Sequence, residues 1–193
     1  MKRRIVFATN NAHKLEEIRA IAGDRLEILS LADIGCHDDI PENEPTIEGN
    51  AIAKARWVRD RYGYDCFADD TGLMVDALGG EPGVHSARYA GPGHDSKANV
   101  DLLLSRLAGI ADRKAHFTTV IALTEGDEVK VFEGRVDGEI LTERDGEGGF
   151  GYDPVFRPEG YAESFASMTP EEKNAISHRG RATARLLEYF NSL

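Results

Sequence analysis

Asp69 and Asp70 stand side by side in Ala68-Asp69-Asp70-Thr71-Gly72, directly behind the apolar run Cys66-Phe67-Ala68. A strand sends successive side chains to opposite faces, so the two carboxylates are not equivalent. One can meet a metal ion or a water while the other turns back to support it. The pattern predicts a strand end that delivers both acids to an open edge of a sheet. Asp, Thr and Gly are also ordinary turn residues, so the pentapeptide alone leaves a solvated turn equally open.

Four further segments carry chemistry. Thr9-Asn10-Asn11-Ala12-His13-Lys14 joins an apolar run to a helical pattern. Backbone N–H groups at a helix start, with Lys14 as a point charge, suit phosphate oxygens. The segment has neither glycines nor a GK[ST] ending, so it is not a Walker loop; its bland alternative is a polar connection with Asn caps. Pro41-Glu42-Asn43-Glu44-Pro45 offers carboxylates on a loop. Mg²⁺ is held through one or two carboxylates with phosphates and waters, and Glu42 with Asp70 would satisfy that. Glu44 remains an alternative, as does a merely solvated acidic loop, and Lys54 on the following helix has a competing salt-bridge role.

Gly148-Gly149-Phe150-Gly151-Tyr152-Asp153-Pro154 sets two aromatics among glycines, which reads as a stacking platform or as a turn anchored in the core. Asp153 can accept from ring N–H groups. Lys173 to Arg181 gathers donors around a helix start, with His178 and Arg179 among them. These suit a ligand displaying carbonyl oxygens, against the alternative of a charged, capped helix face.

The elements that position these groups follow from periodicity. Ile5 to Ala8 reads as a buried strand, then Leu15, Ile18, Ile21 and Ala22 recur at helical spacing; Leu26 to Leu29 is a second strand. Residues 33–46 read as a loop, and Thr46 caps a helix over about 47–62 with Ile52, Ala55, Trp57 and Val58 inward. A helix is predicted over about 96–107. A hairpin joins Phe117–Leu123 to Val129–Val136 around Glu125-Gly126-Asp127, and a helical tail from Glu171 to Phe190 is interrupted at Ser177. The result is one mixed α/β domain over 1–193.

The composition, 41% hydrophobic and 30% charged over 193 residues, fits a globular chain with a sizeable core. The net charge of −11 argues against nucleic-acid polymers, though not against a small anion held by local cations. Cys36 and Cys66 do not make a disulfide framework, which fits a reducing cytoplasm, and Cys36-His37 lacks further spaced metal ligands. The basic start Met1-Lys2-Arg3-Arg4 precedes an apolar run too short for a signal peptide, and no stretch approaches a membrane span.

Taken in order, the segments resemble the inosine triphosphate pyrophosphatase family, the dITP/XTP pyrophosphatases. The similarity runs through Thr9-x-Asn11-x-x-Lys14, Ala68 to Gly72, Leu78-Gly79-Gly80-x-Pro82-Gly83 and Ser86-Ala87-Arg88-Tyr89. It continues through Gly149 to Pro154 and Glu172-Lys173-x-Ala175-x-Ser177-His178-Arg179. The resemblance implies Mg²⁺-dependent hydrolysis of non-standard purine nucleoside triphosphates to the monophosphate and pyrophosphate, clearing deaminated purines from the nucleotide pool. It also implies a homodimer and an elongated mixed α/β fold, with a sheet flanked by helices and a cleft between two lobes. Asp70 then matches the catalytic and metal-associated acid, Glu42 the second acid, and Asp69 a supporting partner. Thr9, Asn11, Lys14, Lys54 and Arg88 match phosphate contacts, with Asn10, Ala12 and His13 in the same loop. Thr71, Phe150, Tyr152, Asp153, Lys173, His178 and Arg179 match substrate contacts, and Gly151 lies among them. Asn10 replaces a glycine common among relatives, a change that Asn's tolerance of the left-handed conformation would accommodate.

On this account donors at His178 and Arg179 read the 6-oxo group of the base. Adenine would leave a buried donor unpaired at a cost of about 1–3 kcal/mol. Two rivals remain: a Maf-like nucleotide pyrophosphatase acting on other modified nucleotides, and a nucleotide-binding regulatory module without turnover.

Overall fold

In the computed structural model the described residues run from 2 to 193; Met1, the first residue of the basic start, lies outside them. Strand β1 (Arg3–Phe7) leads through the polar loop into α1 (Ala12–Ala22), then β2 (Leu26–Leu29) and α2 (Ile47–Tyr62). After these come β3 (Cys66–Val75), β4 (Pro82–Gly83), α3 (Ser96–Arg106), β5 (Lys114–Glu125) and β6 (Glu128–Ile140). The chain closes with β7 (Phe156–Pro158), α4 (Pro170–Ile176) and α5 (His178–Asn191). The described strands form a seven-stranded sheet in the order β2-β1-β3-β5-β6-β7, with β4 beside β3. β1 runs parallel to β2 and β3, whereas β3–β4 and β6–β7 are antiparallel. This is the mixed α/β architecture expected from the sequence.

The helices start where side chains can satisfy their first N–H groups. Asn11 Oδ1 accepts from the N–H groups of His13 and Lys14, Thr46 caps α2 through the Gly49 N–H, and Asp95 caps α3. Thr169 and Glu172 form a reciprocal capping box on α4, with Pro170 at the first helical position. Ala55 and Val58 of α2 are buried as expected, with Asn50, Ala51 and Lys54. Ile52 and Trp57 are only half-buried, and Trp57 instead lies under the Arg61 guanidinium, 4.2 Å from its ring centre.

The chain divides into two compact units. The first takes the residues up to Asp70, Thr119–Gly134 and Arg179–Leu193. Its core joins Ile5 and Phe7 of β1, Ile18 of α1, Phe67 of β3 and Leu186 of α5, with the Phe7 and Phe67 rings stacked 4.6 Å apart. The second takes Thr71–Thr118 and Arg135–His178. Its core gathers Leu73, Leu103, Leu107, Phe117, Phe156 and Phe165.

Two expectations are corrected. The hairpin strands extend past their apolar runs at both ends, leaving only Gly126-Asp127 as the turn, with Gly126 at a φ of 59°. Ladder hydrogen bonds come from the backbone, so polar ends such as Lys114 and Glu139 continue the strands that side-chain type alone would truncate. The two acids are also interior to β3 rather than at its end. What ends there is the neighbour: β1 pairs with β3 only at Val6–Cys66 and Phe7–Phe67 and stops at Phe7. The acids sit just beyond that partner.

Candidate active site

The acids divide as strand geometry demands. Asp69 is held by α1 and α5: Lys14 Nζ donates to Oδ1 at 3.2 Å, and Arg179 Nε to Oδ2 at 3.1 Å. Arg179 is itself fully buried, and its Nη1 donates to Glu17 Oε1 at 2.6 Å. Asp70 meets α2: Asn50 Nδ2 donates to Oδ2 at 3.3 Å and the Lys54 ammonium stands 4.0 Å from Oδ1. Lys54 also donates to Glu42 Oε1 at 2.6 Å. Of the two candidate acids in the 41–45 loop, Glu42 therefore meets Lys54, while Glu44 is exposed.

These surroundings push the two carboxyls in opposite directions. Burial alone would raise Asp69, but Lys14, Arg179 and Lys54 outweigh it and hold the carboxyl far below the usual carboxylate range. Burial raises Asp70, Glu42 and Asp69 repel its charge further, and the attraction of Lys54 and Lys14 does not cancel them. Asp70 ends above the usual range. Burial, with repulsion from Lys54 and Arg179, pulls the Lys14 ammonium below its ordinary value against the attraction of Asp69. For Lys54 burial acts the same way, yet Glu42, Asp70 and Asp69 prevail and raise it. Asp69 is thus held as an anion, whereas the Asp70 carboxyl holds its proton more tightly than an exposed one.

No group of three or more His, Cys, Asp or Glu side chains among the described residues is placed to hold a metal ion alone. Glu42 and Asp70 nevertheless share one cation already, the Lys54 ammonium between them. Two carboxylates completed by water and phosphate oxygens are the donor set Mg²⁺ takes, so these residues fit that ion.

The loop before α1 is preorganised. Thr9 Oγ1 accepts from the Asn11 N–H at 3.1 Å, and Asn11 caps the helix. Asn10, Ala12 and His13 are exposed around its mouth. Asn10 needs no left-handed tolerance, since His94 is the one described non-glycine residue at positive φ.

The second unit holds the other predicted group. Lys173 Nζ donates to Asp153 Oδ2 at 2.6 Å in a pair buried on both sides, and the same oxygen accepts from the Phe150 N–H at 3.0 Å. The Lys173 ammonium also lies 4.6 Å from the Phe150 ring centre. Gly149, at a φ of 67°, has Asp153 Oδ2 2.2 Å from where a Cβ would stand, so only glycine permits this close approach. The two platform rings part company. Phe150 is half-buried, whereas Tyr152 is a core residue whose hydroxyl donates to the Ser86 carbonyl at 2.6 Å. His178 stacks on Phe117 with ring centres 4.5 Å apart. Arg88 follows Ser86 in a short 3₁₀ turn, half-buried, and Gly151 and Thr71 are also half-buried.

The structure therefore brings together Lys14, Glu42, Lys54, Asp69, Asp70 and Arg179 in one unit, and Phe150, Asp153 and Lys173 in the other. Arg179, expected among the base-reading donors, has two carboxylates as partners. Asn50 and Glu17 were missed. Their signal was helical spacing: Asn50 lies four residues before Lys54 and Glu17 three after Lys14, each on the same helix face.

Two adjacent acids, each facing a lysine, suit the handling of phosphate groups. The chain belongs to the Ham1 family, whose sequence pattern matches residues 5–189. It is 54% identical to a dITP/XTP pyrophosphatase of Porphyromonas gingivalis, over 97% of each chain. It is 52% identical to a dITP/XTP pyrophosphatase of Flavobacterium psychrophilum, over 97% of this chain and 99% of that one. A solved HAM1 protein from Coxiella burnetii superposes with a TM-score of 0.90 at 36% identity, over 99% of this chain and all of that one.

Proposed function

We propose that this chain hydrolyses non-canonical purine nucleoside triphosphates, ITP and XTP and their deoxy forms, to the monophosphate and pyrophosphate with Mg²⁺. The observation that carries this reading is the opposed electrostatics of two adjacent acids. Asp69 lies between two cations, Lys14 and Arg179, while Asp70 faces the neutral Asn50 amide and a Lys54 ammonium that it shares with Glu42. Family membership and the names of the relatives support the substrate class.

Phosphoryl chemistry asks for positioning and charge neutralisation more than covalent help. Asp70 accepts a proton as a water attacks the α-phosphorus. The new bond joins that water's oxygen to phosphorus, and the bond from phosphorus to the bridging oxygen breaks. Pyrophosphate leaves with the bridging oxygen and its electron pair. Lys14, the α1 N-terminus and Thr9 hold the polyphosphate. Glu42 and Asp70 would hold Mg²⁺, which when bound neutralises phosphate oxygens. Base reading falls to Phe150, Asp153, Lys173 and His178, and the account carries a homodimer and a cytoplasmic location as further proposals.

A panel of ITP, XTP, dITP, GTP, ATP and pyrimidine triphosphates, with pyrophosphate and monophosphate measured with and without Mg²⁺, tests it. The account expects Mg²⁺-dependent pyrophosphate release favouring ITP and XTP. Preference for a modified pyrimidine would transfer the chain to Maf-like chemistry, and binding without product would make it a regulatory module.

A further inference from the structure

We propose that Asn50 is a positioning residue that sets the catalytic carboxylate against the loop carrying the second acid. The inference rests on Asp70 and Glu42 acting as described above. Asn50 is 2% exposed, in the first turn of α2, whose start Thr46 fixes. Its amide works in both directions: Nδ2 donates to Asp70 Oδ2 at 3.3 Å, and Oδ1 accepts the Glu44 N–H at 2.9 Å. The opposite amide orientation would set oxygen against carboxylate oxygen and NH₂ against N–H, so the partners assign the orientation.

One buried side chain therefore bonds both to Asp70 and to the backbone of the loop that carries Glu42. With Oδ2 committed to a neutral donor, Oδ1 is the Asp70 oxygen that faces Lys54. The Glu44 N–H lies two residues from Glu42, so the same amide anchors the loop that brings Glu42 to Lys54. A neutral amide performs both tasks without adding charge to a group that already holds Lys14, Lys54, Arg179, Asp69, Asp70 and Glu42. Small displacements at reacting groups are costly, since a misplacement of about 1 Å can cost roughly 100-fold in rate.

Two substitutions in the full chain test this. Asn50→Leu keeps the approximate volume and removes both hydrogen bonds; Asn50→Asp keeps the acceptor for Glu44 and removes the donor to Asp70. Both should lower kcat at least tenfold, with KM for ITP at saturating Mg²⁺ within twofold of the wild type. Asn50→Leu should also weaken Mn²⁺ binding several-fold, read by electron paramagnetic resonance without nucleotide. A kcat within twofold of wild type in Asn50→Leu, or restored in Asn50→Asp, overturns the proposal. If Asn50→Leu does not fold, as judged by melting, the kcat of Asn50→Asp decides alone. A wild-type chain that releases no pyrophosphate would remove the proposed function instead, and Mn²⁺ binding by Asn50→Leu would then decide the role of Asn50.

Discussion

Arg179 Nε lies 3.1 Å from Asp69 Oδ2, so the last helix and the central strand of the first unit are joined by an ion pair buried on both sides. Taking charges out of water is expensive, and removing one partner leaves the other uncompensated at a cost of about 3–5 kcal/mol. Glu17 still accompanies Arg179 when Asp69 is lost, which favours the lower end. Asp69→Asn should therefore destabilise the chain by about 3 kcal/mol, seen as a lower midpoint in urea. The sign with pH follows from the depressed carboxyl. Its stabilisation is complete above the unfolded value near 3.9 and is lost as pH falls toward the folded one. Below about pH 4 the wild type should lose stability faster than Asp69→Asn, and the two should converge.

The same carboxylate favours the charged form of Lys14. Burial already pulls this ammonium below its ordinary value, and Asp69 is the chief group opposing that shift. A lysine holds phosphate oxygens as a cation, so KM for the triphosphate should climb as pH rises through its pKa. Asp69→Asn removes the opposing charge and lowers that pKa further. The climb should begin at lower pH in the variant than in the wild type, measured as KM for ITP between pH 7 and 10. Identical profiles would separate Asp69 from Lys14.

Gly149 makes a prediction in the second unit. Its positive φ, and Asp153 Oδ2 standing against the place a Cβ would take, leave no room for a methyl group. Gly149→Ala should displace Asp153 from the Phe150 N–H and from Lys173, lowering stability by at least about 1 kcal/mol. KM for ITP should rise more than kcat falls if, as proposed, the affected groups read the base and do not touch the cleaved bond. Steady-state kinetics with a thermal melt distinguishes this from general loss of fold.

Much of this arrangement was legible in the sequence. Thr46 and the 3.6-residue period placed α2, and alternation along a strand already required Asp69 and Asp70 to face different partners. Partner identity was the hidden part. Arg179, 110 residues beyond Asp69 in the chain, could be counted as a donor, but nothing local shows that carboxylates surround it. Tyr152 is similar: glycine neighbours suggest exposure, while burial depends on a Ser86 carbonyl far away in the chain. Strand pairing and ion pairs join distant residues, and periodicity reports only the local face.

The central claim is that Asp70, and not its neighbour, takes the proton. In Asp70→Asn the desolvated charge is gone and the amide keeps nearly the same shape. Because burial raises the Asp70 carboxyl, ionising it opposes folding at neutral pH, and the variant should melt no lower than the wild type. The decisive measurement is pyrophosphate release from ITP at saturating Mg²⁺ by this folded variant. The account predicts a fall of about 100- to 10,000-fold in kcat, as for the loss of a positioned base; turnover within tenfold of the wild type would contradict it.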